Sequence, residues 1–129
     1  MSIQLNHTIV HSRDRQVSAE FLATVLGLEV GPPMGPFLPV ETGNGVTLDF
    51  ATVDQGDIAP QHYAFLVPEE EFDGIFARIQ AAGADYWADP ARTLPRQINH
   101  NDGGRGVYFA DPSGHYMEVL TRPYGSGSE

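Results

Sequence analysis

The chain of 129 residues contains no cysteine and no lysine. The absence of thiols excludes disulfides, thiolate metal sites and cysteine nucleophiles. Any metal ion must therefore be held by nitrogen and oxygen ligands.

Basic residues are scarce. Seven arginines stand against seventeen acidic residues, which gives a formal net charge of -10. Such a surface repels phosphate backbones and anionic membranes, so nucleic acid is not an expected partner. No apolar run approaches the roughly twenty residues that span a bilayer, and the chain does not open with a leader-like segment. We expect a soluble, cytoplasmic protein with no membrane partner.

The first half of the sequence changes from strand to helix and back to strand. Ile3 to Val10 is rich in β-branched and apolar residues, as strands are. From Val17 to Leu26 the apolar positions follow a helical period, and Gly27 is placed to end the helix. Two strands are predicted near Phe37 to Glu41 and Val46 to Val53, joined through an Asn-Gly hairpin signal.

The second half repeats this order. A strand is predicted at Gln61 to Val67, followed by a helix that starts at Pro68 and ends at Gly83. The remaining strands are predicted at Asp85 to Trp87, Gly106 to Ala110 and His115 to Thr121. The pattern is α+β: two tandem βαβββ modules, about 3–54 and 60–123, in one domain spanning 1–124. The Gly/Ser tail 125–129 is expected to be disordered.

Three side chains suggest a metal site. His7 and His62 head the first strand of their respective modules, and duplicated units can bring equivalent residues to one point. Glu118 lies in an otherwise apolar strand, where a carboxylate is costly unless it is paired or bound to a cation. Two imidazoles and one carboxylate leave open positions on a divalent ion, which suits iron(II); zinc, nickel, cobalt or manganese could take the same ligands.

Three motifs carry a family resemblance: Leu5-Asn6-His7, Gln61 to Phe65, and Asp111 to Glu118. With them the chain resembles the vicinal oxygen chelate superfamily, which includes glyoxalase I, bleomycin-binding proteins, fosfomycin-resistance enzymes and type I extradiol dioxygenases. The resemblance implies an open, cupped mixed β-sheet around a metal site, with helices on the outside. It also implies His7, His62 and Glu118 as the ligands and a homodimeric assembly.

The final motif is most similar to the signature of extradiol dioxygenases. His100, Val107-Tyr108, the turn Asp111 to Gly114 and Glu118 match its elements. The resemblance implies that Tyr108 hydrogen-bonds a catechol-like vicinal diol and that His100 supports the site. Two simpler interpretations stay open: Tyr108 could be a packing residue, and His100 could lie in a solvated loop.

Other functions remain possible at this stage. Glyoxalase I carries a fourth ligand on the last strand of the first module, where this chain offers Thr47 or Asp49. A four-ligand zinc or nickel site would favour an isomerase or lyase reaction next to a carbonyl. The third hypothesis is a metal-free protein that binds a small molecule, like the bleomycin-resistance members of the superfamily. We expect an iron(II) dioxygenase first.

A long irregular segment, Ala88 to Arg105, leads into the signature strand. Loops of this length in compact domains are usually functional or disordered. We predict a lid whose arginines, Arg92, Arg96 and Arg105, could meet a substrate carboxylate. A solvated loop is the alternative.

Overall fold

The computed structural model describes residues 2–127; residues 1, 128 and 129 lie outside the described part. The chain divides into two compact units, Met1–Ile58 and Ala59–Glu129. Each unit combines a helix with a mixed sheet, which confirms the α+β class. Within the described residues, no helix has both the length and the apolar character needed to cross a bilayer.

Unit 1 contains one helix and a three-stranded sheet. Its elements are β1 (His7–Ser12), α1 (Arg15–Leu26), β2 (Phe37–Glu41) and β3 (Thr47–Thr52). The strand order is β1-β3-β2, with β1 parallel and β2 antiparallel to β3.

Helix α1 begins two residues before the predicted start because Asp14 caps it. The Asp14 carboxylate accepts hydrogen bonds from the backbone amides of Gln16 and Val17, and Gly27 ends the helix with a φ of 72°. Side-chain capping satisfies amides that have no partner within the helix. The buried face is formed by Ala19, Leu22 and Val25, whereas Val17 is exposed.

Unit 2 contains one helix and a four-stranded sheet. Its elements are β4 (His62–Leu66), a short 3-10 turn (Glu69–Glu71), α2 (Phe72–Ala81), β5 (Tyr86–Trp87), β6 (Gly106–Ala110) and β7 (Tyr116–Leu120). The strand order is β4-β7-β6-β5, with β4 parallel to β7. The buried face of α2 is formed by Phe72, Ile75 and Ile79.

The two units have the same topology. In each unit the first strand runs parallel to the last strand, and the strand just before the last one in sequence runs antiparallel to it. Unit 2 has the predicted βαβββ order. In unit 1 the first of the three later strands is reduced to a single bridge between Val30 and Val40. Pro32 and Pro33 follow that bridge, and proline has no amide proton to continue a ladder.

The C-terminal segment after β7 is tied to the loop that precedes β6. The backbone amides of Gly125 and Gly127 donate to Asp102 Oδ1 over 3.1 and 3.3 Å. The Arg122 guanidinium donates to the carbonyl of Ser126. The predicted disordered tail, 125–129, thus begins with residues that make defined contacts, and its last two residues lie outside the described part.

Replacing Asp14 with Ala should lower the free energy of unfolding by about 1 kcal/mol, because two amides at the start of α1 lose their acceptor. Urea titration followed by circular dichroism measures the change. Asp14→Asn keeps a side-chain acceptor and should lose less than half as much. Equal stability of Asp14→Ala and the wild type would show that the cap contributes nothing.

Candidate functional site

One face of the unit 2 sheet gathers most of the predicted site. The ladder register places Trp87 opposite Tyr108, Tyr108 opposite Glu118, and Glu118 opposite Ala64. Side chains of residues two apart share a face of a strand, so His62 lies on the same face as Ala64. The small Ala64 side chain leaves room for the His62 ring to reach Glu118.

His62 and Glu118 form the centre of this face. The Nε2 atom of His62 lies 3.1 Å from Oε1 of Glu118, and its Nδ1 atom lies 3.0 Å from the carbonyl oxygen of Tyr116. A carbonyl can only accept, so Nδ1 carries a proton. In a neutral imidazole Nε2 is then an acceptor, and it faces a carboxylate oxygen that is also an acceptor. A proton shared by the two atoms, or a cation bound between them, removes the repulsion between the two acceptors.

A divalent cation fits this donor set. The separation of 3.1 Å is close to the roughly 3 Å expected between neighbouring ligands that each lie about 2.1 Å from one ion. A backbone carbonyl that fixes Nδ1–H is also the usual support for a histidine that binds a metal through Nε2. Glu118 is only 1% exposed and His62 is 48% exposed, so the carboxylate is held deep and the imidazole lies nearer solvent.

Two tyrosines complete the polar contacts of Glu118. The Tyr124 hydroxyl donates to Glu118 Oε2, and the Tyr108 hydroxyl lies 2.7 Å from that of Tyr124. The Tyr108 ring stacks on the His62 ring at 5.9 Å between centroids. Burial raises the pKa of Tyr108, and burial together with the hydrogen bond to Glu118 raises the pKa of Tyr124. Both phenols therefore remain neutral donors at neutral pH.

A cavity of about 440 Å³ opens beside these residues within unit 2. Its lining is mostly aromatic: His62, Trp87, Pro90, Arg92, Tyr108, Phe109, Tyr116 and Tyr124. Two of its polar groups, the hydroxyls of Tyr108 and Tyr124, belong to the hydrogen bonds that reach Glu118. Such a surface favours a flat, largely apolar ligand that carries a small number of oxygen atoms.

Of the three loop arginines predicted to form a lid, Arg92 lines this cavity. Its guanidinium carbon lies 4.7 Å from the centre of the Tyr116 ring and 5.6 Å from that of Trp87. Arg96 lines a different cavity, beside Gln80. Arg105 makes ion pairs with Glu69 and Asp73 and so supports the fold of unit 2.

His7 lies in unit 1, and its Nδ1 atom, like that of His62, faces an oxygen atom. Its Nδ1 atom lies 2.7 Å from Oδ1 of Asn6, an acceptor, so Nδ1 carries the proton and Nε2 is left as a potential ligand. The parallel ladder pairs His7 with Thr47, as His62 pairs with Tyr116. Counting two residues on, Asp49 is the repeat equivalent of Glu118.

The full set of three ligands stays a prediction. Among residues 2–127, no group of three or more His, Asp or Glu side chains is already gathered around a point that could hold a metal. Unit 2 brings His62 and Glu118 together, and unit 1 carries His7.

The structure does not place His100 with Tyr108. His100 is exposed and lines a separate cavity of unit 2, together with Glu69, Arg105 and Arg122. Its supporting role in catalysis stays a prediction that its position does not favour.

Sequence reasoning missed five residues of the cavity: Trp87, Pro90, Phe109, Tyr116 and Tyr124. Trp87 and Tyr116 belong to predicted strands, but only the pairing register shows which face they occupy. Tyr124 is the one whose type gave a signal, because a bulky aromatic is unusual in the Gly/Ser/Pro-rich segment Pro123 to Gly127.

Residues 4–119 match the family model of the Glyoxalase/Bleomycin resistance protein/Dioxygenase superfamily, which confirms the resemblance found in the sequence motifs. The chain is 62% identical to the solved structure of Oxidase ChaP-H2, with a TM-score of 0.96 over 99% of this chain and 100% of that one. It is 57% identical to Oxidase ChaP-H1, with a TM-score of 0.92 over 96% and 99%. It is also 30% identical over 121 residues to glutathione transferase FosA of Serratia marcescens, which covers 89% of this chain and 78% of that protein.

We predict that the chain binds one iron(II) or cobalt(II) ion and that Glu118→Gln weakens this binding by at least about tenfold. The substitution removes the negative charge and keeps the size of the side chain, and the loss of a directly binding group should cost no less than the 10- to 100-fold of a supporting contact. Anaerobic calorimetric titration gives the dissociation constant. Glu70→Gln, at an exposed position, is the matched control. A wild-type chain that binds neither ion would favour the metal-free binding protein.

Proposed function

The chain belongs to the Glyoxalase/Bleomycin resistance protein/Dioxygenase superfamily, and from this premise we propose that it is a metal-dependent enzyme that oxidises a catechol-like vicinal diol with dioxygen. Iron(II) is the preferred ion, and His7, His62 and Glu118 are its ligands. The proposed reaction is extradiol ring cleavage, which consumes one dioxygen per diol and retains both oxygen atoms in the product.

The observation that carries this proposal is the contact of His62 Nε2 with the buried Glu118 carboxylate beside Tyr108. A proton or a cation must lie between these two acceptors, and in this proposal a divalent ion takes that place. When bound, iron(II) would supply the Lewis acidity and the redox chemistry that dioxygen requires and that side chains lack. The oxidase names of the two relatives at 57% and 62% identity support oxidative chemistry over isomerisation.

Four other residues of the site hold the substrate in this proposal. Tyr108, neutral and next to the ion-binding pair, donates a hydrogen bond to a substrate oxygen. Trp87 and Tyr116 provide faces against which an aromatic ring can pack. Arg92, above these two rings, provides a positive charge for an anionic substituent. The cavity thus orients a flat diol toward Glu118 and keeps water from its apolar part.

A second function is favoured by the position of Asp49. It is the repeat equivalent of Glu118 on β3, so it is the residue of unit 1 that would serve as a fourth ligand in an isomerase. Loading with zinc or nickel should then give isomerisation of a 2-oxoaldehyde thiol adduct, and Asp49→Asn should abolish it. If the iron-loaded protein oxidises catechols and neither loaded form isomerises the adduct, this second function is excluded.

Iron(II)-loaded protein should consume oxygen with a catechol and form a yellow ring-cleaved product. Tyr108→Phe should lower kcat/KM by about tenfold, because one hydrogen bond of about 1.4 kcal/mol to the reacting diol is lost. An oxygen electrode measures oxygen consumption, and the visible absorbance of the product measures its rate of formation. Tyr86→Phe is the matched control, since the Tyr86 hydroxyl contacts Gln80 at another cavity. Absence of oxygen consumption across a panel of substituted catechols would reject the proposal.

A further inference from the structure

Tyr124 brings a phenol into the site from the C-terminal segment. Its hydroxyl donates to Glu118 Oε2, and a hydroxyl has only one proton. The 2.7 Å contact with Tyr108 must therefore run the other way, with Tyr108 donating to Tyr124. The result is a directed chain of hydrogen bonds from Tyr108 through Tyr124 to Glu118.

These hydrogen bonds occupy the hydroxyl proton of Tyr108, which a substrate oxygen would need as its donor. The Tyr108 hydroxyl also has one proton, so it cannot donate to Tyr124 and to a bound ligand at the same time. A phenolic ligand can accept from Tyr108 and donate to Glu118 just as Tyr124 does. The oxygen of Tyr124 thus occupies the position that matches a phenolic oxygen of a ligand.

The segment that carries Tyr124 is held in a way that allows release. Among the described residues, its backbone hydrogen bonds to the loop before β6 run from the amides of Gly125 and Gly127 to one oxygen of Asp102, and Gly127 also packs against the Asp102 backbone. Tyr124 is 60% exposed, so little apolar burial holds its ring in place. A few partly exposed hydrogen bonds cost little to exchange for others.

We propose that Tyr124 is a displaceable cap whose phenol oxygen marks the subsite for a phenolic oxygen of the ligand, and that the segment from Arg122 to Gly127 moves away when the ligand binds. The phenolic class of the ligand rests on the proposed function. The location of the subsite, between the Tyr108 hydroxyl and Glu118 Oε2, rests on the hydrogen bonds of Tyr124.

The first test measures binding of 4-nitrocatechol to the full-length, iron(II)-loaded chain under anaerobic conditions, from the visible absorbance of the probe. Tyr124→Phe removes the competing hydroxyl and keeps the ring, so the dissociation constant should fall by about tenfold. Tyr86→Phe is the matched control and should leave it unchanged. An unchanged or larger dissociation constant for Tyr124→Phe overturns the cap and would make Tyr124 a residue that holds the ligand.

The second test releases the segment without touching Tyr124. Asp102→Gly removes the shared acceptor and accommodates the φ of 57° at this position without strain. It should tighten binding of the probe severalfold. In the wild type, the amides of Gly125 and Gly127 should exchange hydrogen faster when 4-nitrocatechol is bound, as mass spectrometry of the C-terminal peptide measures. Slower exchange in the bound state would contradict displacement.

The cap and the proposed function fail in different ways. Tighter binding to Tyr124→Phe, with no oxygen consumption by any form, supports the cap and rejects the dioxygenase. Oxygen consumption by the wild type, with no gain of affinity in Tyr124→Phe, supports the dioxygenase and rejects the cap. If Tyr124→Phe does not bind the probe at all, the cap is rejected as well.

Discussion

The buried carboxylate of Glu118 is the constraint around which the second unit is organised. A carboxylate that is 1% exposed must recover the solvation it has lost, and each of its oxygens meets a specific partner. One oxygen faces His62 Nε2 and the other accepts from Tyr124. Because the Tyr116 carbonyl fixes the proton of His62 on Nδ1, a proton or a bound cation must lie between His62 Nε2 and Glu118 Oε1. We propose that a divalent ion takes this place.

The sheet of unit 2 explains why these groups meet. Its central strands, β6 and β7, place an aromatic residue and a carboxylate side by side, and β4 adds the imidazole from the parallel edge. The same ladder in unit 1 sets His7 and Asp49 at equivalent positions. One supersecondary unit, used twice, therefore provides two imidazoles and two carboxylates at matching places.

The sequence predicted the elements well because their signals are local. The strand at Phe37–Glu41 and the strand at Gly106–Ala110 lie where alternation and flanking turn residues placed them. The sequence also singled out His62, at the head of a repeated strand, and Glu118, a carboxylate in an apolar strand; the fold brings them into contact, and their role as metal ligands stays a prediction. The hydrogen bonds from Tyr108 through Tyr124 to Glu118 could not be predicted, because they depend on how the segment after β7 folds back over the loop before β6. His100 shows the converse limit: it fits a sequence motif but lies in another cavity.

X-ray absorption spectroscopy of the metal-loaded protein tests most directly whether His62 and Glu118 share a cation. The spectrum of the cobalt(II)- or iron(II)-loaded wild type should contain the outer scattering of two imidazoles, and His62→Ala should reduce it to one imidazole. Loss of one imidazole contribution in His7→Ala would assign the second imidazole to His7. An unchanged spectrum in His62→Ala would contradict the account, because the His62–Glu118 contact would then be a simple ion pair and the metal would lie elsewhere.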